Sequence, residues 1–210
     1  MTILTKNFAD MKAQVEAHVK ADQVIQGNYW DGNRGCFIGC LAHSSDPMEA
    51  VRKYGLTEPI LRIAENIFEA LPAAEAKAFF AALPDAVGCD GKDLSRVHWR
   101  FLAAELRALP KQPTRIQATI DPVIAGMDLM AEGKEWVDAA DAVDAADRAT
   151  YEAARAAAHA AYAVDAAYAA RATYEAARAA AHAAYAVDAA YAARLRQRDT
   201  LLRFISEAPL

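Results

Sequence analysis

From Lys134 to Ala208 the sequence contains neither glycine nor proline. Those two residues are the strongest local punctuation a chain has, and this stretch is dominated by alanine, the best helix former. No other feature limits the fold so strongly. As one straight helix the stretch would run about 110 Å at ~1.5 Å per residue, far more than a small domain spans. It must either project as a rod that oligomerises or fold back on itself.

The same stretch carries a tandem duplication. Ala149–Arg171 reads ATYEAARAAAHAAYAVDAAYAAR, and Ala172–Arg194 repeats it letter for letter. VDAADA followed by VDAADR, within Val137–Arg148, is an older, decayed echo. At ~100° per residue, Tyr151, Arg155, His159, Tyr162 and Asp165 share one sector of a helix, and alanines fill the opposite sector. The stripe reads first as a polar seam between helices, with i,i+3 and i,i+4 pairs keeping an alanine helix soluble. Its aromatic and cationic groups also make Tyr151, Arg155, His159 and Tyr162 candidates for holding a nucleotide-like anion. A 23-residue period turns a helix about 140° past whole turns, so no single straight partner uses both alanine seams. Thr150 and Thr173 are placed to cap new helices and relieve that conflict, so a reversal within 165–175 stands beside the rod.

Upstream, the pattern is helical throughout. Phe8, Met11, Val15 and Val19 step by three or four over Thr5–Val24. GNYWDGNRG, residues 27–35, is a loop, and a short helix begins near Cys36. Ser45-Asp46-Pro47 restarts a helix that should stop at Gly55. Thr57 caps the next, with a stripe of Ile60, Ile63, Ile67, Phe68 and Leu71. A helix over 73–82 ends before Pro84, VGCDGKD is a second loop, and Leu94–Leu109 is helical. Ile116, Ile120, Ile124, Met127 and Met130 mark a further helix, kinked at Pro122. No run of alternating β-branched residues supports a sheet. The expectation is an all-α protein: a helical body over 1–131 that holds the core, followed by an alanine-rich array over 132–210.

A net charge of −5 argues against a nucleic-acid partner, which calls for a basic face. The arginines at 194, 196, 198 and 203 read as one solvated helix face. Three cysteines make no disulfide framework. The N-terminal residues lack a signal-peptide core, and no apolar run reaches the length of a membrane span. These readings place the chain in the cytoplasm, off the membrane.

The densest chemistry lies in Tyr29–Asp46, YWDGNRGCFIGCLAHSSD. On a helix Cys36, Cys40 and His43 share a face, at i, i+4 and i+7. Three readings stay open. The residues pack a tight helix start, with cysteine as a small hydrophobe. Or they bind zinc, with Cys89, His98 or Asp46 completing the shell. Or a cysteine at the helix N-terminus is a nucleophile with His43 as base. The Gly-rich loop adds a further candidate: Trp30, Arg34 and the N–H groups around Gly35–Phe37 form a lid and cradle for a small anion.

Tyr29–Asp46, Gly55, IFEALP at Ile67–Pro72 and the DLS at Asp93–Ser95 resemble a group of uncharacterised bacterial and phage proteins. These share a YW…GC..GC..HSS core, a helical body and an alanine-rich tail of variable length. The resemblance implies an accessory role, such as soaking up or blocking a host defence component, and no particular activity.

Together these features favour a non-enzymatic helical binding protein that takes no cofactor and self-associates through its alanine-rich helices. Trp30, Arg34, Gly35, Cys36, Cys40 and His43 would line its site for a small anionic ligand. A metal- or thiol-dependent enzyme centred on Cys36, Cys40 and His43, with zinc as its metal, is the alternative. A protein-interaction module docking by its long helices, on a host protein for instance, is the third.

Overall fold

The computed structural model describes residues 3–109, 114–137 and 172–210. Among them the chain forms eight helices and only isolated β-bridges, so the protein is all-α. The helices are α1 (Phe8–Lys20), α2 (Phe37–Ala42), α3 (Pro47–Tyr54), α4 (Glu58–Ala70), α5 (Ala73–Val87), α6 (Val97–Arg107), α7 (Thr114–Glu132) and α8 (Ala172–Ser206). No helix among the described residues is long and apolar enough to cross a membrane. Tyr151, Arg155, His159 and Tyr162 lie outside the described residues, as does most of the 165–175 segment that separates the rod from the hairpin.

Two units emerge: residues 1–102 with 193–210, and residues 103–192. The first holds the main core, and it recruits the C-terminal end of the chain. Leu201, Ile205 and Ala208 are buried in it, which corrects the expectation of a core confined before residue 131. Lys92 Nζ donates to Ser206 O at 2.7 Å and Ile205 O at 3.3 Å. It thereby satisfies carbonyls that the end of α8 leaves without helical partners. Asp93 N–H donates to Pro209 O at 2.8 Å, tying the residues after α8 to the second loop.

The centre of the first unit is α2, of which Phe37 to Leu41 are all buried. Phe37 sits among Phe68, Phe79 and Phe80 at centroid distances of 5.4–6.0 Å. Each such ring contributes on the order of 1.5–3 kcal/mol by leaving water. Helices α1, α3 and α4 surround α2, and α5 closes against α1 and α4.

Local chemistry sets most boundaries. Asp46 caps α3 by accepting from Met48 N–H at 2.9 Å, with Pro47 in the first turn, and Gly55 ends it at φ 68°. Three expectations need correction. Helix α1 is shorter than 5–24, because Asn7 enters with φ 54° and Asp22 leaves with φ 56°; Phe8 N–H is met by Asp90 Oδ1 at 2.7 Å. Its buried face is Met11, Val15 and His18, whereas Val19 is exposed. Helix α5 runs through Pro84 to Val87. Proline removes one N–H and crowds the preceding turn, yet Pro84 is itself buried, and its carbonyl still accepts from Gly88 N–H at 2.8 Å. Thr57 does precede α4, but its side chain makes no cap bond.

Within the second unit, α7 passes through Pro122 from Thr114 to Glu132 without interruption. Gly126 lies flush against the indole of Trp136: a Cβ there would fall 2.0 Å from the ring. Arg107 pairs with Asp128.

Candidate imidazole–indole site

The GC-x2-GC-x2-H run is built around one close approach. A Cβ on Gly39 would lie 1.3 Å from the carbonyl oxygen of Tyr29, and one on Gly35 would lie 2.1 Å from the same atom. Only glycine allows the 28–30 loop to lie directly on α2. Hydrogen bonds then close the loop. Cys36 N–H donates to Asn28 O at 2.8 Å, Gly35 N–H to Gln23 O at 3.0 Å, and Ile25 N–H to Gly35 O at 2.9 Å. Asp31 Oδ1 accepts from the N–H groups of Asn33 and Arg34 at 2.9 and 2.7 Å, and those bonds hold its carboxyl below the usual range.

This changes the expected anion cradle. The N–H groups of Gly35 and Cys36 are occupied inside the loop, and Gly35 serves close packing. Arg34 remains at the surface, with its side chain half exposed and Nε 3.8 Å from Asp31 Oδ2.

Both motif cysteines are buried. Cys40 donates its thiol to Gly35 O at 3.2 Å. Burial pushes its pKa up to about 12. Burial also raises the Cys36 thiol, although the N–H groups of Gly39 and Ile38 favour its thiolate. Cys89, half-buried, lies in the second loop, where its carbonyl accepts from Thr5 Oγ1 at 2.9 Å. Asp46 is engaged as the α3 cap and with Arg52. His98 is depressed by burial, and its buried Nδ1 has no hydrogen-bond partner among the described residues. Among the described residues no three His, Cys, Asp or Glu side chains are grouped to hold a metal ion.

His43 is not on the face expected from i, i+4, i+7 spacing. Helix α2 stops at Ala42, and His43 takes the left-handed conformation at φ 53°, its N–H donating to Gly39 O at 2.8 Å. That turn carries the imidazole away from the thiols and onto Trp30. The rings stack at 4.3 Å between centroids and 13° between planes. His43 is exposed and Trp30 half-buried.

A third ring completes the cluster, and the sequence reading missed it. His18, 7 % exposed, meets Trp30 edge-on at 5.5 Å, and its Nε2 lies 2.8 Å from Nε2 of His43. Its Nδ1 lies 2.8 Å from Gln23 Oε1, while Gln23 Nε2 donates to Asn33 Oδ1 at 2.9 Å. A carbonyl oxygen only accepts, so Nδ1 of His18 carries the proton, and in the neutral ring Nε2 is a bare acceptor. The donor chain therefore runs from His43 to His18 to Gln23 to Asn33. Burial lowers the pKa of His43, helped by the charges of His18 and Lys53.

Gln14 ties the α2 end of this cluster to α1 and α3. Its amide nitrogen donates to Cys40 O at 2.5 Å and Leu41 O at 2.8 Å, and its oxygen accepts from Tyr54 Oη at 2.7 Å and Lys53 Nζ at 2.6 Å. Fold and site together define an all-α protein with a polar–aromatic cluster at a loop–helix junction. Comparison with protein-family profiles, curated proteins and solved structures gives no match.

The arginines of α8 are engaged rather than a free basic face. Arg198 pairs with Glu75 and Asp199, Arg194 donates to Gln197 at 2.8 Å, and Arg203 lies over the Phe204 ring at 4.8 Å.

Proposed function

We propose that this is a non-enzymatic binding protein whose recognition surface is the edge of the 27–35 loop together with the end of α2. The observation that carries the reading is the Trp30–His43 stack, with His43 exposed and fixed in place by His18. An indole wall, an imidazole and the guanidinium of Arg34 on the same loop suit a small anionic, nucleotide-like ligand. The buried, protonated thiols weigh against the alternative of a thiol-dependent enzyme, because only the thiolate is nucleophilic. In the bacterial and phage setting that the motif resemblance implies, such a protein would act by sequestering its ligand.

The test is isothermal titration with ADP and with inorganic phosphate against the full chain, Trp30→Ala and Arg34→Ala. The reading expects saturable binding of at least one probe, weakened tenfold or more in each variant. No saturable binding of either probe, or unchanged binding in both variants, would sink it.

A further inference from the structure

We infer that the loop-edge site takes its anion together with one proton, held at Nδ1 of His43, so that ligand affinity falls as pH rises. The switch rests on the binding role proposed above and is tested apart from it.

The hydrogen bonds of the two rings leave one nitrogen for that proton. Nδ1 of His18 donates to Gln23 Oε1, and Nε2 of His18 accepts from Nε2 of His43 at 2.8 Å. Nδ1 of His43 makes no hydrogen bond among the described residues, and its ring is exposed. A proton on Nε2 of His18 would set two N–H groups head to head and break the bond between the rings. A proton on Nδ1 of His43 breaks nothing. It turns the contact into a charge-assisted bond from an imidazolium to a neutral ring. The stack on Trp30, at 4.3 Å between centroids, favours the same state, because an indole face attracts a cation.

In the free protein at neutral pH that nitrogen is bare. Burial, then the charges of His18 and Lys53, hold the pKa of His43 below its ordinary 6.5. Those two groups, from α1 and α3, are the charges that reach His43 among the described residues, and the loop sets only the uncharged ring of Trp30 against it. Lys53 is itself held by Gln14 Oε1 at 2.6 Å. A bare Nδ1 meets an oxyanion with a lone pair, whereas an N–H there donates to it. The anion therefore selects the protonated ring, taking the proton from solvent, and raises its pKa. The factor by which the anion favours the proton equals the factor by which the proton favours the anion. Affinity is greatest below the free-state pKa of His43. It falls with rising pH until the pKa of the complex is passed.

The full chain is saturated at about pH 7 with ADP, or with inorganic phosphate where only that probe binds, and followed by nitrogen–proton NMR of its histidines. Nδ1 of His43 is expected to change from bare to protonated on binding, while His18 keeps its proton on Nδ1. Affinity for the same probe is then measured at about pH 6 and about pH 8 for the parent and for His43→Asn. Asparagine tolerates the left-handed backbone and does not titrate, and the probe's own ionisation is common to both proteins. Between those pH values the parent's affinity should fall about tenfold more than the variant's. Saturable binding with Nδ1 of His43 still bare, or with the same pH dependence in parent and variant, would overturn the proton switch and leave the binding role standing. No saturable binding at either pH would sink the binding role, and the switch with it.

Discussion

Substituting Gly39 by alanine tests the packing that creates the site. The added Cβ would sit 1.3 Å from Tyr29 O and 2.4 Å from Tyr29 C. Both are backbone atoms, so no side chain can swing aside. Relief requires the 28–30 loop to lift from α2, and overpacking of this kind costs about 1–3 kcal/mol. Lifting also stretches the Cys36 N–H bonds to Asn28 O and Tyr29 O, worth about 1 kcal/mol each. Against this, alanine gains about 1 kcal/mol over glycine in a helix. The net expectation is a loss of about 2–4 kcal/mol. For a chain of this size that is a fall in Tm of about 4–16 °C. Urea unfolding followed by circular dichroism measures the loss, and tryptophan fluorescence at zero denaturant reports whether Trp30 leaves His43. A Gly39→Ala protein within about 0.5 kcal/mol of the parent would refute the close approach, since helix propensity alone would then govern the position.

The titrating groups give a second expectation. His43 and His98 both have native pKa values below their ordinary 6.5, so the unfolded chain binds the extra protons first as pH falls. Stability should drop on acidification through 6.5 and below, and be flat above it; unfolding free energies that rise in that interval would contradict both environments. The thiols give a third. With Cys40 at about 12, its thiolate fraction at neutral pH is lower than that of a free cysteine on the order of a thousandfold or more. Iodoacetamide mapping should therefore label Cys89 first and spare Cys40 in the folded protein. Equal labelling of Cys40 would show that it is not enclosed.

Features governed by nearby residues were legible in the sequence. Asp46-Pro47 and Gly55 mark the ends of α3 because a carboxylate cap, a donor-free first turn and a left-handed exit are each chemistry of one residue. The all-α architecture followed from apolar spacing in the same way. The motif near Cys36 lies at the centre of the first unit, but the placement of its residues did not follow from spacing. An i, i+4, i+7 face presumes that the helix continues, and α2 ends at Ala42. Its glycines serve a loop carbonyl six to ten residues away, a contact that no periodicity encodes. His18 was hidden because its meaning depends on His43, 25 positions distant. The available signal was its step of three from Val15, which puts a histidine on the buried stripe in place of Val19. The burial of Leu201 and Ile205 was obscured by the polar, arginine-rich helix around them.

The most direct test of the account is a long-range nitrogen–proton NMR spectrum of the histidine side chains in the neutral protein. The account predicts a protonated Nδ1 and a bare Nε2 for His18. It also predicts His43 ring protons shifted upfield by the Trp30 indole, a shift that Trp30→Ala removes. His18 protonated at Nε2, or His43 resonances at free-imidazole positions and insensitive to Trp30→Ala, would contradict it.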